Sequence, residues 1–174
     1  MAIIRGVSEA RQQAFIEAPV EVVWELLSDV GRHPEWWPRV VEVECEGLEA
    51  GCPYREVVRT PFGLDEMVVT PERLEDCKEL LIRCVNTGTF VHMLLAEAQD
   101  GTFVDAKFGM EPQTTKTRVF DAVAGKRYFR SWLRQSLEAM ETVASSRAEA
   151  AKTDGLQAAK SEEFKDADSA AKRA

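Results

Sequence analysis

The chain has 174 residues and a formal net charge of −8. That length supports one domain with room for an appendage. The acidic balance excludes the basic surface that non-specific nucleic-acid binding and docking on anionic lipid both require. The four cysteines, Cys45, Cys52, Cys77 and Cys84, show no C-x-x-C spacing and only two histidines accompany them, so the sequence offers no zinc motif. Met1 to Ala10 lack the basic start and apolar core of a signal peptide, and no window reaches membrane-spanning length. A reducing cytoplasm without disulfides is the expected setting.

In chain order, Val7 to Glu17 reads as a first strand, stopped by Ala18-Pro19. Proline suits the first turn of a helix, where its missing N–H costs nothing. Val20, Val23, Trp24 and Leu27 then recur at helical spacing, which makes Trp24 the expected anchor of that helix. Ser28, Asp29 and Gly31 end it. His33-Pro34 opens a short second helical turn holding Trp36 and Trp37, and Pro38 closes it, with His33 in a structural role at the corner.

From Arg39 to Glu46 the residues alternate, with Val41, Val43 and Cys45 on one face and Glu42, Glu44 and Glu46 on the other. This is the pattern of a half-buried strand. Further strands are expected over Tyr54 to Thr60, Leu64 to Thr70, Leu80 to Asn86, Thr89 to Ala98 and Thr102 to Met110. A charged loop around Glu75-Asp76 and a hairpin turn at Gln99-Asp100-Gly101 fall between them. Seven strands joined by short turns predict one antiparallel meander. Its open apolar face needs a cover. Thr115 to Ser146 provides one: Phe129, Leu133, Met140 and Ala144 step by three and four, Trp132, Leu137 and Val143 widen the stripe, and Gly125 marks a kink or the end of an irregular lead-in. After Ser146 the composition turns to Ala, Lys, Glu, Asp and Ser, so residues 147–174 read as a disordered or marginally helical tail beyond a 1–146 domain. A partner-binding helix around Phe164 is the alternative there.

Ile16, Ala18-Pro19, Val23-Trp24, Leu27-Ser28-Asp29 and His33-Pro34-Glu35-Trp36-Trp37-Pro38 together resemble the opening of the START-like (SRPBCC) superfamily, in its polyketide cyclase/dehydrase and lipid-transport branch. The resemblance covers residues from about 8 to 146. It implies an α+β helix-grip fold: a curved seven-stranded sheet around a long C-terminal helix, with two short helices between strands 1 and 2. It also implies an apolar cavity between sheet and helix. The candidate lining residues are Trp37, Val41, Val43, Val58, Ile82, Cys84, Leu94, Phe108, Met110, Phe129, Trp132, Leu133 and Met140. A packed core makes the same pattern, and the sequence leaves both open. Arg59, Asn86 and Glu66 are candidates to orient a ligand carbonyl or hydroxyl, with an exposed Arg59–Glu66 pair as the alternative.

His92 is the weak candidate for a general acid/base, against the commoner reading of a satisfied or solvent-facing histidine. No nucleophile motif, metal site or phosphate loop is present in the sequence. The resemblance implies cofactor-free binding or transport of a polyketide, isoprenoid or lipid. A polyketide aromatase/cyclase or dehydratase using His92 with Arg59 or Asn86 is the alternative, and a protein-interaction module the third.

Overall fold

The computed structural model describes the backbone of residues 8–112 and 114–171, so the expected strand start at Val7 lies outside the described residues. Strands β1 (Ser8–Ile16), β2 (Val40–Glu44), β3 (Tyr54–Thr60), β4 (Gly63–Glu75), β5 (Glu79–Cys84), β6 (Thr89–Ala98) and β7 (Gly101–Met110) form one sheet, ordered β1-β7-β6-β5-β4-β3-β2. Every pairing is antiparallel. Helix α1 (Val20–Ser28), a 3-10 turn (Val30–Arg32) and α2 (His33–Trp36) lie between β1 and β2. After β7 come α3 (Thr115–Phe120), a π-helical turn (Asp121–Gly125) and the long α4 (Lys126–Ala171). Gly125 thus marks the end of the lead-in.

The pairing of β1 with β7 is tightest at Gly101. Ala98 pairs with Gly101 across the two-residue turn, and a Cβ on Gly101 would stand 2.2 Å from the Ile16 carbonyl oxygen. Only glycine lets β1 reach this end of β7. Next to it, the buried Thr102 hydroxyl donates to Ala18 O at 2.8 Å and fixes the corner where β1 turns into α1.

The inner face of the sheet carries Ala10, Ile16, Val58, Val69, Leu80, Ile82, Cys84, Val91, Met93, Leu95, Val104, Ala106, Phe108 and Met110, all buried. Helix α4 meets it with Phe129, Trp132, Leu133, Leu137, Met140 and Ala144, the stripe read from the sequence. Burial of such a stripe, rather than helix propensity, holds α4 in place.

Three expectations need correction. Strand β4 runs on to Glu75 instead of stopping at Thr70, because Pro71 sits at a bulge where its missing N–H costs no ladder bond. Val41 is exposed: the register shifts between Val40 and Glu42, so Val40 turns inward, Val41 is the extra residue, and Val43 resumes the inward side. Trp24 is half-buried, and α1 is anchored by Val20, Val23, Leu26 and Leu27 instead. Of the two readings of the tail, disordered or marginally helical, residues 147–171 take the helical form and continue α4. Packing passes Ser146, since Ala148 is buried and the Arg147 guanidinium donates to Glu35 Oε2 at 2.8 Å. The side chain of Phe164, the candidate anchor of a partner helix, lies outside the described residues.

Candidate functional site: an aromatic cavity with a polar floor

The corner between α1 and β2 explains the run His33-Pro34-Glu35-Trp36-Trp37. A helix leaves its last carbonyls without intrahelical partners. Here the Trp36 indole N–H donates to Leu26 O at 3.0 Å, and His33 Nε2 donates to Leu27 O at 3.1 Å. Two buried side chains thereby complete the C-terminus of α1. The Trp36 and Trp37 rings stack at 5.0 Å, which places Trp37 against the inner face of the sheet, 6.3 Å from Phe108 and 6.2 Å from Trp132.

From Trp37 a file of rings runs towards the surface. Phe108 and Trp132 lie 4.7 Å apart, Trp132 and Tyr128 5.8 Å, Tyr128 and Phe120 5.3 Å, and Phe120 and Phe62 6.1 Å. Flat rings at such spacings contact edge to face and do not interdigitate as aliphatic side chains do. A cavity of about 260 Å³ opens along this file, between the β3–β4 hairpin, α3 and the first turns of α4. Its deep walls are Met67, Thr89, Met110, Phe129 and Trp132, and its mouth is Thr60, Pro61, Phe62, Asp65 and Thr87. The Arg39 guanidinium stacks over Tyr128 at 4.4 Å and over Trp132 at 5.5 Å, bracing this wall from outside. Burial raises the Tyr128 phenol above its ordinary value, although Arg39 draws it down.

Beyond Met67, Thr89 and Trp132, which line both spaces, lies an inner pouch of about 30 Å³. Val58, Ile82, Cys84, Phe108 and Trp37 wall it, and one carboxyl group, Glu56, enters it. Glu56 is buried on the inner face of β3 between Tyr54 and Val58, with Oε1 3.3 Å from His33 Nδ1. Burial, and then the Glu56 charge, push the Tyr54 phenol well above its usual value. The Trp37 and Trp132 indole N–H groups are both buried without a hydrogen-bond partner. Buried donors are rarely left so.

The structure brings together Trp37, Val58, Ile82, Cys84, Phe108, Met110, Phe129 and Trp132 around these two spaces. Leu133 and Met140 are fully buried but belong to the packed core farther along α4. Val43 packs, half-buried, against the same core. Five candidates fall outside. Val41 is exposed for the reason given above. Arg59 follows Val58 on a strand, so it points to the opposite face and is exposed. Asn86 is exposed in the β5–β6 turn. His92 and Leu94 have the outward parity of β6, where Val91, Met93 and Leu95 face in. His92 Nε2 lies 2.7 Å from Glu79 Oε1 on the outer face, and this contact heads the causes that lower the Glu79 carboxyl. His92 is not a cavity acid/base. Glu66 borders the mouth, but its carboxylate is held by Arg55 at 2.6 Å, not by Arg59.

The sequence reading missed Glu56. Its signal was parity: Tyr54, Glu56, Val58 and Thr60 alternate with Arg55, Val57 and Arg59, so a carboxyl group stood on the face assigned inward through Val58.

A curved antiparallel sheet closed over one long C-terminal helix, with two short helices between its first strands, is the START-like helix-grip fold. The chain belongs to the family described as polyketide cyclase/dehydrase and lipid transport, whose model matches residues 8–145. Solved structures agree. A START superfamily protein from Mycobacterium smegmatis is 13% identical over 83% of this chain and 98% of its own, with a TM-score of 0.61. A protein from Arthrobacter aurescens is 15% identical over 83% of this chain and 93% of its own, with a TM-score of 0.62. The di-domain ARO/CYC StfQ from the steffimycin biosynthetic pathway is 18% identical over 82% of this chain and 52% of its own, with a TM-score of 0.63. At these identities the structures establish the fold. No curated protein matches the sequence. Among the described residues, no helix is long and apolar enough to cross a membrane.

Proposed function

We propose that the protein binds a hydrophobic, ring-containing small molecule in the cavity between the sheet and α4, in the cytoplasm and without a cofactor. The observation that carries this reading is the open cavity of about 260 Å³ walled by Phe120, Tyr128, Phe129 and Trp132. Ligand sites are concave and mostly apolar, with a few placed polar groups, and this one has that composition. Binding draws on burial of apolar ligand surface at roughly 25 cal/mol per Å². Val119 and Val123 stand exposed beside Phe62 at the mouth and give a greasy ligand a short apolar path in. The free thiols of Cys45, Cys52, Cys77 and Cys84 suit a reducing compartment.

The test is native mass spectrometry of the protein as purified, followed by titration with polyketide, isoprenoid and fatty-acyl panels. Saturable one-to-one binding by ring-containing members is expected. Failure of every panel member to bind would overturn the reading.

A further inference from the structure

The floor of the cavity has a chemistry of its own. The Leu27 carbonyl can only accept, so His33 Nε2 carries a hydrogen and donates to it. In a neutral imidazole Nδ1 is then a bare acceptor. It faces Glu56 Oε1 at 3.3 Å, in a site where both side chains are buried. Two lone pairs opposed there would repel, so a proton lies between them; placed on the imidazole, it leaves Glu56 the carboxylate whose charge raises the Tyr54 phenol. A carboxylate has about four acceptor positions, so Glu56 keeps capacity for a further hydrogen bond even with the neighbouring buried Tyr54 hydroxyl turned to it. The same pouch is lined by Trp37 and Trp132, whose buried indole N–H groups have no acceptor. Acceptor capacity and two residues with unclaimed donors thus border a space of about 30 Å³, room for a group the size of one water molecule.

One functional group answers both demands. A hydroxyl donates once and accepts, whereas an ether or ketone only accepts and a methyl does neither. Resting on the cavity reading above, we infer that the inner pouch is a hydroxyl-recognition subsite. A phenolic oxygen enters between Trp37, Trp132 and Glu56, donating to Glu56 and accepting from an indole N–H, while its ring lies against Trp132 and Phe129 in the outer cavity. His33 is a positioning residue: it fixes the Glu56 carboxyl while its other nitrogen caps α1. The substrate class is a hydroxylated aromatic compound, entered hydroxyl first.

The experiment compares 2-naphthol, 2-methoxynaphthalene and naphthalene by equilibrium dialysis on the wild type and on Glu56→Gln. The glutamine amide can donate to a neutral His33 Nδ1, so the corner is expected to stay folded. On the wild type, 2-naphthol should bind about tenfold or more tightly than either analogue, since a site built to hydrogen-bond a hydroxyl rejects ligands lacking it. In Glu56→Gln that preference should fall to below about threefold, with naphthalene affinity unchanged, because a charged carboxylate acceptor becomes a neutral amide carbonyl. Equal binding of all three probes by the wild type, or an undiminished preference in Glu56→Gln, would overturn the subsite and leave the cavity reading standing. No binding of any probe would overturn both. If Glu56→Gln does not fold, the three wild-type affinities decide alone.

Discussion

The space between the sheet and α4 has two ends, built from one continuous apolar stripe and yet different in kind. At the closed end Leu133, Leu137, Met140 and Ala144 meet Ile16, Leu26, Leu27, Leu80, Met93 and Val104. These are aliphatic side chains from three layers, since α1 lies against α4 there, and they fill the space. At the open end Phe120, Tyr128, Phe129 and Trp132 face Met67, Thr89 and Met110, and the cover is the α3 and π-helical lead-in instead of a second packed helix. Rings contacting edge to face under an irregular cover leave a cavity. Close packing is thus concentrated at one end of α4 and open space at the other, and substitutions at the two ends should have opposite signatures.

The largest effect is expected at the closed end. Trp36→Ala removes a fully buried indole and the donor to Leu26 O, and should cost about 3–5 kcal/mol in chemical denaturation. Met140→Ala should cost about 2–5 kcal/mol and leave ligand affinity unchanged in the folded fraction. At the open end the order reverses. Phe62 is 68% exposed, so Phe62→Ala should move stability by no more than about 0.5 kcal/mol while weakening a bound ring compound several-fold in a fluorescence titration. Equal stability losses at both ends would remove the distinction between them.

How much of this was legible beforehand depended on parity and on packing. The strand positions, the α4 stripe and the inward residues of β7 follow from periods of two and of three to four, and Val104, Ala106, Phe108 and Met110 all face inward, whereas the pairing of β1 with β7 leaves no periodic trace. Val41 was misplaced because a bulge adds one residue that alternation cannot count. His92 and Leu94 were included for being apolar neighbours or titratable, against the outward parity that Val91, Met93 and Leu95 set. Glu56 was passed over for being charged, although its parity matched Val58. Whether the stripe encloses a void is a property of three-dimensional fit. Leu133 and Trp132 are adjacent in sequence and both buried, yet one belongs to the core and the other to the cavity wall.

Smaller effects sharpen the same contrast from the outer face of the sheet, which faces away from the cavity. His92→Ala breaks a partly exposed contact with Glu79 and should change stability by less than about 1 kcal/mol and ligand affinity not at all. A loss of binding in this variant would return His92 to the site. The smallest effect is a pH dependence. Hydrogen bonding from Arg11, chiefly, holds the Asp105 carboxyl down at about 2. A depressed carboxyl stabilises the fold fully above its ordinary range near about 3.9 and loses that contribution as the pH falls through about 2. The Tm difference between wild type and Asp105→Asn should therefore be constant above about pH 5 and shrink between about pH 4 and 2.

The central claim is that the open end of α4 is a ligand cavity and not a loosely packed core. The most direct measurement is an amide and indole NMR titration with 2-naphthol. The account predicts saturable, one-to-one shifts concentrated at Met67, Thr89, Met110, Phe129 and the Trp132 indole N–H, with Leu80, Met93 and Met140 unmoved. Shifts that do not saturate, or that centre on Phe15, Leu94 and Phe103 of the outer face, would contradict it.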